Sequence, residues 1–187
     1  MPTRDVVLVI FPGFQGLDLV GPAEVFAAAN DELQQPAYDL KIAAQPRGPV
    51  ATHSGITMAA EWSLSELRGP IDTLLVVGGE GTYLAVADVP LVGEIARLAA
   101  AARRVTSVCS GSFLLAQAGL LDGHRATTHW RVCDLLASTF PAVDVDPDPI
   151  YMRSGNVWTS AGVTAGMDLA LALVEDDHGP EVALAIA

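Results

Sequence analysis

The sequence contains little cysteine and no long apolar run, and each absence excludes a class of protein. Cys109 and Cys133 are its two cysteines, and a chain with two thiols and abundant apolar residues does not resemble a disulfide-stapled secreted scaffold. No apolar run reaches the roughly 18 residues that span a bilayer, and residues 1–5 lack the apolar stretch of a secretory signal. We therefore expect a cytoplasmic protein with reduced thiols and no membrane association.

Positive charge is equally scarce. The chain has 10 basic and 22 acidic residues, and Lys41 is its single lysine, so the formal net charge is -12. Nucleic-acid binding normally depends on clustered positive charge. This chain by itself is therefore not expected to bind DNA.

Buried strands alternate with helices along the 187 residues, a length typical of one domain. Apolar, β-branched runs predict strands at 6–11, 38–44, 74–77 and 105–108. Helical patterns cover 22–30, 91–102, 113–118, 131–139 and about 165–177, and a hairpin is predicted at 151–160. Pro22 suits a first helical turn, and Arg103 and Arg104 suit the end of the helix before them. We predict one α/β domain over 1–187, a three-layer sandwich with a mostly parallel sheet.

Cys109 stands at the end of a predicted strand, before small residues and a helix. A positive helix end lowers the pKa of a thiol, and the segment Val-Cys-Ser-Gly-Ser has the form of a nucleophile elbow. Cys109 is therefore the candidate nucleophile. The alternative is a buried cysteine that acts as a small hydrophobic residue, which is our interpretation of Cys133.

Two further residues are candidates for proton transfer. His129 could serve as a base for the thiol, or it could pack beside Trp130 with its nitrogens bonded to backbone. Asp18 follows the first strand and should reach the same edge of the sheet, where it could tune the thiol or cap the following helix.

Backbone amides of Gly79 and Ser110 could together bind an oxyanion, or the glycines could only form a tight turn. Other pocket candidates are Phe14, Gln15, Glu80, Tyr83 and Trp130. The histidines and cysteines have no metal-ligand spacing, so neither a metal nor another cofactor is expected.

The blocks GFQGLDLVGPAEVF, LLVVGGEG, VCSGSFLLAQAGLLDGHRATTHW and NVWTSAGVTAGMDLALALVEDDHG resemble the ThiJ/PfpI superfamily, which has the flavodoxin-like, class I glutamine amidotransferase-like fold. The resemblance is strongest to the amino-terminal domain of AraC-type transcriptional regulators of the GlxA kind. It implies a homodimeric domain that senses a small molecule. It also implies that EVALAIA begins a helix leading to a helix-turn-helix domain, through which the whole protein would bind DNA.

Enzymes of the superfamily are the competing interpretation. Amidotransferases pair their cysteine with a late His-x-Glu, whereas His178 is followed here by Gly179 and Pro180, so that activity is not expected. The isonitrile hydratases resemble the chain at Asp18, Cys109 and the ATTHW block. Their cysteine and acid carry catalysis, although threonine is usual where this chain has Ser110.

Overall fold

A computed structural model describes residues 3–187 of the chain. Its strands are β1 (Arg4–Val9), β2 (Tyr38–Ala44), β3 (Gly48–Ala51), β4 (Thr57–Ala60), β5 (Trp62–Ser63), β6 (Ile71–Val76), β7 (Ala102–Ser107), β8 (Arg125–Ala126), β9 (Asp144–Val145), β10 (Tyr151–Ser154) and β11 (Val157–Ser160). Its α-helices are α1 (Gly16–Leu33), α2 (Thr82–Ala85), α3 (Val89–Ala99), α4 (Ser112–Gln117), α5 (Cys133–Thr139), α6 (Ala165–His178) and α7 (Pro180–Ile186). Within residues 3–187, no helix combines the length and the hydropathy needed to cross a membrane.

Seven of the strands form one sheet in the order β10-β11-β7-β6-β1-β2-β5. Every neighbouring pair is parallel except the predicted hairpin of β10 and β11. Helices α1, α6 and α7 contact one another, α3 and α4 form a second group, and the helices cover both faces of the sheet. The predicted flavodoxin-like α/β sandwich is therefore confirmed.

The central strands are apolar on both faces because helices cover both faces. In β1, Val6, Val7, Leu8 and Val9 are each at most 1% exposed. The carboxyl ends of β1, β6 and β7 lie side by side, and connections leave them in both directions along the sheet. Ligands of open α/β sheets bind at such a position.

Several helix ends differ from the prediction, and two of the differences have a structural consequence. Helix α1 begins at Gly16 rather than at Pro22, which lies buried inside it. Proline there removes one intrahelical hydrogen bond, but α1 packs along α6, and this tertiary contact keeps the helix continuous. Helix α3 ends at Ala99, so the two arginines do not close it.

Arg103 and Arg104 belong to β7 and to an ion-pair cluster at the amino end of the sheet. Arg104 is 2% exposed, and its Nη2 lies 2.6 Å from Oδ2 of Asp177 in α6. A buried guanidinium requires such a carboxylate. The two residues are 73 positions apart, so the local sequence pattern could not show the partner.

Candidate functional site

Cys109 lies in the predicted sharp turn, at the carboxyl end of β7. It starts the 3-10 turn Cys109–Gly111 and has a φ of 56°, a left-handed conformation that costs a non-glycine residue roughly 1–2 kcal/mol. Its amide donates to the carbonyl of Ala161 (3.2 Å), and its carbonyl accepts from the Thr128 hydroxyl (2.9 Å). A Cβ at residue 78 would lie 2.8 Å from the Cβ of Cys109, so glycine is needed there.

Asp18 reaches the same point from the first turn of α1. Its side chain is fully buried, and Oδ2 accepts a hydrogen bond from the Gly78 amide (3.1 Å). Oδ1 is buried and has no hydrogen-bond partner in residues 3–187. The carboxyl group therefore does not cap α1, which was the alternative, but lies beneath the cysteine turn.

Burial sets the protonation of both groups. It raises the pKa of Asp18 to about 7, although the Gly78 amide and the adjacent Cys109 thiol partly oppose it. Burial, followed by the charge of Asp18, raises the pKa of Cys109 to about 12, against the effect of nearby backbone amides of Ser110 and Val163.

The thiol therefore keeps its proton at neutral pH, and the lowered pKa predicted from the helix end is wrong. The helix that follows Cys109 is short: it consists of the 3-10 turn Cys109–Gly111 and the six residues of α4. Its field is outweighed by desolvation and by the carboxylate.

The two predicted oxyanion donors are already engaged. The Gly79 amide donates to Oγ of Ser110 (2.9 Å), and that hydroxyl also lies 3.0 Å from the Thr82 hydroxyl. The Ser110 amide is directed at the sulfur of Cys109. Gly79 and Ser110 thus join the glycine loop to the cysteine turn, and their oxyanion role stays a prediction.

His129 lines the same cavity as Cys109, but it packs as the alternative interpretation described. Its ring stacks on Trp130, lies against the backbone of Gly162, and accepts a hydrogen bond at Nδ1 from the Arg131 amide (3.3 Å). Burial, followed by the charge of Arg131, lowers the pKa of His129, so the ring is neutral at pH 7 and its proton resides on Nε2. In this tautomer Nε2 can donate a hydrogen bond to a ligand, while Nδ1 is already occupied by the Arg131 amide and is not free to accept the proton of Cys109.

An open cavity of about 370 Å³ lies above these groups. Of the predicted pocket residues, Gln15, Glu80 and Tyr83 line it, whereas Phe14 is fully buried and Trp130 is 68% exposed outside the lining. His53, Arg131, Val132 and Val163 also line it and were not predicted from the sequence.

Val163 is the least predictable of these residues. Its φ is 54°, which is strained for a β-branched side chain, and its amide approaches the Cys109 sulfur. Only its position between two glycines in SAGVTAG hints at an unusual turn. Across residues 3–187, no group of three or more histidine, cysteine or acidic side chains is arranged to hold a metal ion.

Known proteins resemble this chain in both sequence and structure. The isonitrile hydratase of Pseudomonas putida is 37% identical over 175 residues, which cover 94% of this chain and 72% of the hydratase. The HTH-type transcriptional regulator CdhR of Pseudomonas aeruginosa is 31% identical over 185 residues, which cover 99% of this chain and 54% of the regulator. The chain thus spans about half of that regulator's length.

A crystal structure of a ThiJ/PfpI family protein from Pseudomonas syringae superposes with a TM-score of 0.89 at 32% identity, over 100% of this chain and 74% of that protein. The family model of the DJ-1/PfpI family matches residues 4–176, a range that includes both strained residues of the site and the buried aspartate. The chain belongs to the DJ-1/PfpI family.

Proposed function

We propose that this chain is the ligand-sensing and dimerisation domain of an AraC-type transcriptional regulator, with a small molecule bound above Cys109. The similarity to CdhR supports the regulator, and the chain's net charge of -12 assigns DNA contact to a separate domain of the whole protein. Such a protein acts in the cytoplasm as a homodimer.

The state of the cysteine carries this proposal. The Cys109 sulfur is protonated at the base of an open cavity, its histidine neighbour offers a donor rather than a base, and the Gly79 amide is occupied. These groups can bind a ligand through hydrogen bonds, and Cys109 does not rest as a thiolate. A sensor needs only that the ligand favour one of two arrangements of the protein.

The gene provides the first test. An in-frame helix-turn-helix segment encoded downstream of Ala187 is expected, and a stop codon directly after Ala187 would contradict the regulator function. Size-exclusion chromatography with light scattering tests the dimer, since the measured mass should be twice the 19.5 kDa of one chain. A monomer at micromolar concentration would remove the dimerisation role.

Hydration of isonitriles is a second candidate, favoured by the contact between Asp18 and Cys109 and by the similarity to the hydratase. Asp18 can relay a proton near pH 7, because its pKa is close to that value. The sulfur would add to the terminal carbon while the thiol proton passes through Asp18 to the same carbon, which gives a thioimidate. Water would then add to that carbon and release the thiol and an N-substituted formamide.

Turnover of cyclohexyl isonitrile, followed as formamide by mass spectrometry, separates the two candidates. A sensor shows no formamide above the buffer blank. If formamide accumulates and Cys109→Ala abolishes it, the chain is an enzyme. Asp18→Asn should then lower turnover more at pH 8 than at pH 6, because the variant lacks the carboxylate that accepts the thiol proton.

A further inference from the structure

Arg131 lacks the ion-pair partner that most arginines of this acidic chain have. Seven of the nine arginines lie within 4.0 Å of an acidic side chain. In residues 3–187 the exceptions are Arg68, which donates to the carbonyl of Leu67, and Arg131, whose guanidinium has neither an ion-pair nor a hydrogen-bond partner. In a chain with 22 acidic residues, an unpaired guanidinium in the wall of a cavity is available to a ligand.

The Arg131 guanidinium packs against the indole ring of Trp130. Its guanidinium carbon lies 5.0 Å from the centroid of the Trp130 ring, which is the arrangement of a cation–π contact. Within residues 3–187 no hydrogen bond or ion pair engages the guanidinium, so its N–H groups are free for a ligand. Two of these N–H groups form the parallel fork that fits a carboxylate.

The acidic side chain in the cavity wall is Glu80. Glu80 lies near Tyr83 and near His129, because its negative charge acts to raise the pKa of each group. For His129, burial and the charge of Arg131 outweigh this effect and the pKa is lowered. Arg131 acts on His129 in the opposite sense. The cavity of about 370 Å³ therefore has a positive side chain and a negative side chain in its wall.

We propose that Arg131 is the recognition residue for a single carboxylate group of the ligand, and that Glu80 excludes ligands with a second negative charge. This inference rests on the proposed sensing function and names its ligand class, small monocarboxylates. The end of the ligand remote from Arg131 is neutral or positive. Phosphates and dicarboxylates are rejected because Glu80 would face their additional charge.

Isothermal titration calorimetry of the 187-residue chain with matched probes tests the proposal. The probes are butanoate, lactate, alanine and 4-aminobutanoate, each paired with its carboxamide, together with succinate. At least one acid should bind about tenfold or more tightly than its own amide, because the amide cannot form the charge-assisted fork. Succinate should bind more weakly than that acid.

Variants show whether the selectivity belongs to these residues. Arg131→Gln should remove the preference for the acid, Arg131→Lys should restore part of it, and Glu80→Gln should improve succinate binding. Arg68→Gln is the matched control, since it alters the other arginine without an ion pair and lies outside the cavity lining. Its titrations should equal those of the wild type.

Each remaining result overturns the inference. If amides bind as tightly as acids, or if Arg131→Gln keeps the preference, the ligand is not recognised through its carboxylate, while the sensing function still stands. If no acid binds, the monocarboxylate class is wrong. If the chain converts the isonitrile and still prefers an acid over its amide, the sensing function is wrong but the role of Arg131 as the carboxylate-binding residue stands.

Discussion

Replacement of Asp18 with asparagine should stabilise the protein at neutral and alkaline pH. Asparagine has nearly the same shape and can still accept the hydrogen bond from the Gly78 amide through its Oδ1. The substitution removes the free-energy cost of burying the Asp18 charge. Asp18 has a pKa of about 7 in the folded protein, against an ordinary value of 3.8 for an aspartate side chain, and each pH unit of difference corresponds to about 1.4 kcal/mol. The gain in unfolding free energy therefore approaches about 4 kcal/mol above pH 7.

The sign follows from the direction of the shift. A raised pKa means that the folded state holds its proton more tightly, so ionisation of Asp18 favours unfolding. The wild type has its full stability from this group below about pH 4 and loses it as the pH rises to about 7. The difference between variant and wild type should be absent at low pH, grow by about 1.4 kcal/mol per pH unit, and then level off.

Urea denaturation followed by tryptophan fluorescence measures this difference at intervals from about pH 4 to pH 8.5. Asp168→Asn is the matched control, because Asp168 also occupies the first turn of a helix but is exposed. It should cost less than about 1 kcal/mol, from the helix dipole alone. Parallel pH curves for Asp18→Asn and wild type, or a destabilised variant at pH 8, would refute the reasoning.

Three other perturbations test the site and its support. Iodoacetamide should alkylate Cys109 slowly below pH 9, and Asp18→Asn should speed the reaction, because the charge that raises the thiol pKa is removed; rapid labelling at pH 7 would contradict the buried, protonated thiol. Gly162→Ala should displace the His129 ring, since the new methyl would overlap it, and so weaken ligand binding; unchanged affinity would show that the ring makes no contact with the ligand. Arg104→Gln should destabilise the protein by about 1–3 kcal/mol, because it removes the closest partner of the buried Asp177 carboxylate, which keeps only Arg103 (2.7 Å), the Tyr38 hydroxyl (2.9 Å) and Arg4 (3.7 Å). The exposed pair of Arg153 with Asp176 is its control, and Arg153→Gln should cost less than about 1 kcal/mol.

The sequence was sufficient for the fold because its main signals are local. Buried parallel strands appear as continuous apolar runs such as VVLVIF, and glycines mark the loops at their carboxyl ends. The α/β class, the mostly parallel sheet and the turn at Cys109 follow from those signals, whereas the flavodoxin-like topology was implied by the resemblance to the ThiJ/PfpI superfamily. The start of α1 and the role of Arg104 could not be predicted in this way, because packing against α6 decides the first and a distant aspartate decides the second.

The sequence predicted which residues form the site better than it predicted their protonation states. Cys109 and His129 line one cavity, and Asp18 lies against Gly78 and Cys109 at the carboxyl ends of the strands. Their protonation states depend on how deeply each is buried and on which amide reaches which atom. Those quantities arise only when the loops at residues 12–16, 78–82 and 161–164 pack together. The positive φ of Val163 also depends on how these loops pack, so the local sequence could not predict it.

The energetic cost of this site argues that it has been kept for a function. A buried carboxyl group with an unpaired oxygen, a cysteine at a φ of 56° and a valine at a φ of 54° all meet around one sulfur. Each lowers the stability of the fold by roughly 1 kcal/mol or more, and an apolar residue at position 18 would remove the largest of these costs. Such costs collect where a protein binds or reacts. Because a proton on Asp18 near pH 7 can either hydrogen-bond to a ligand or be passed to a substrate, the same arrangement suits a sensor and a hydratase. Turnover of an isonitrile, rather than ligand affinity alone, therefore decides between them.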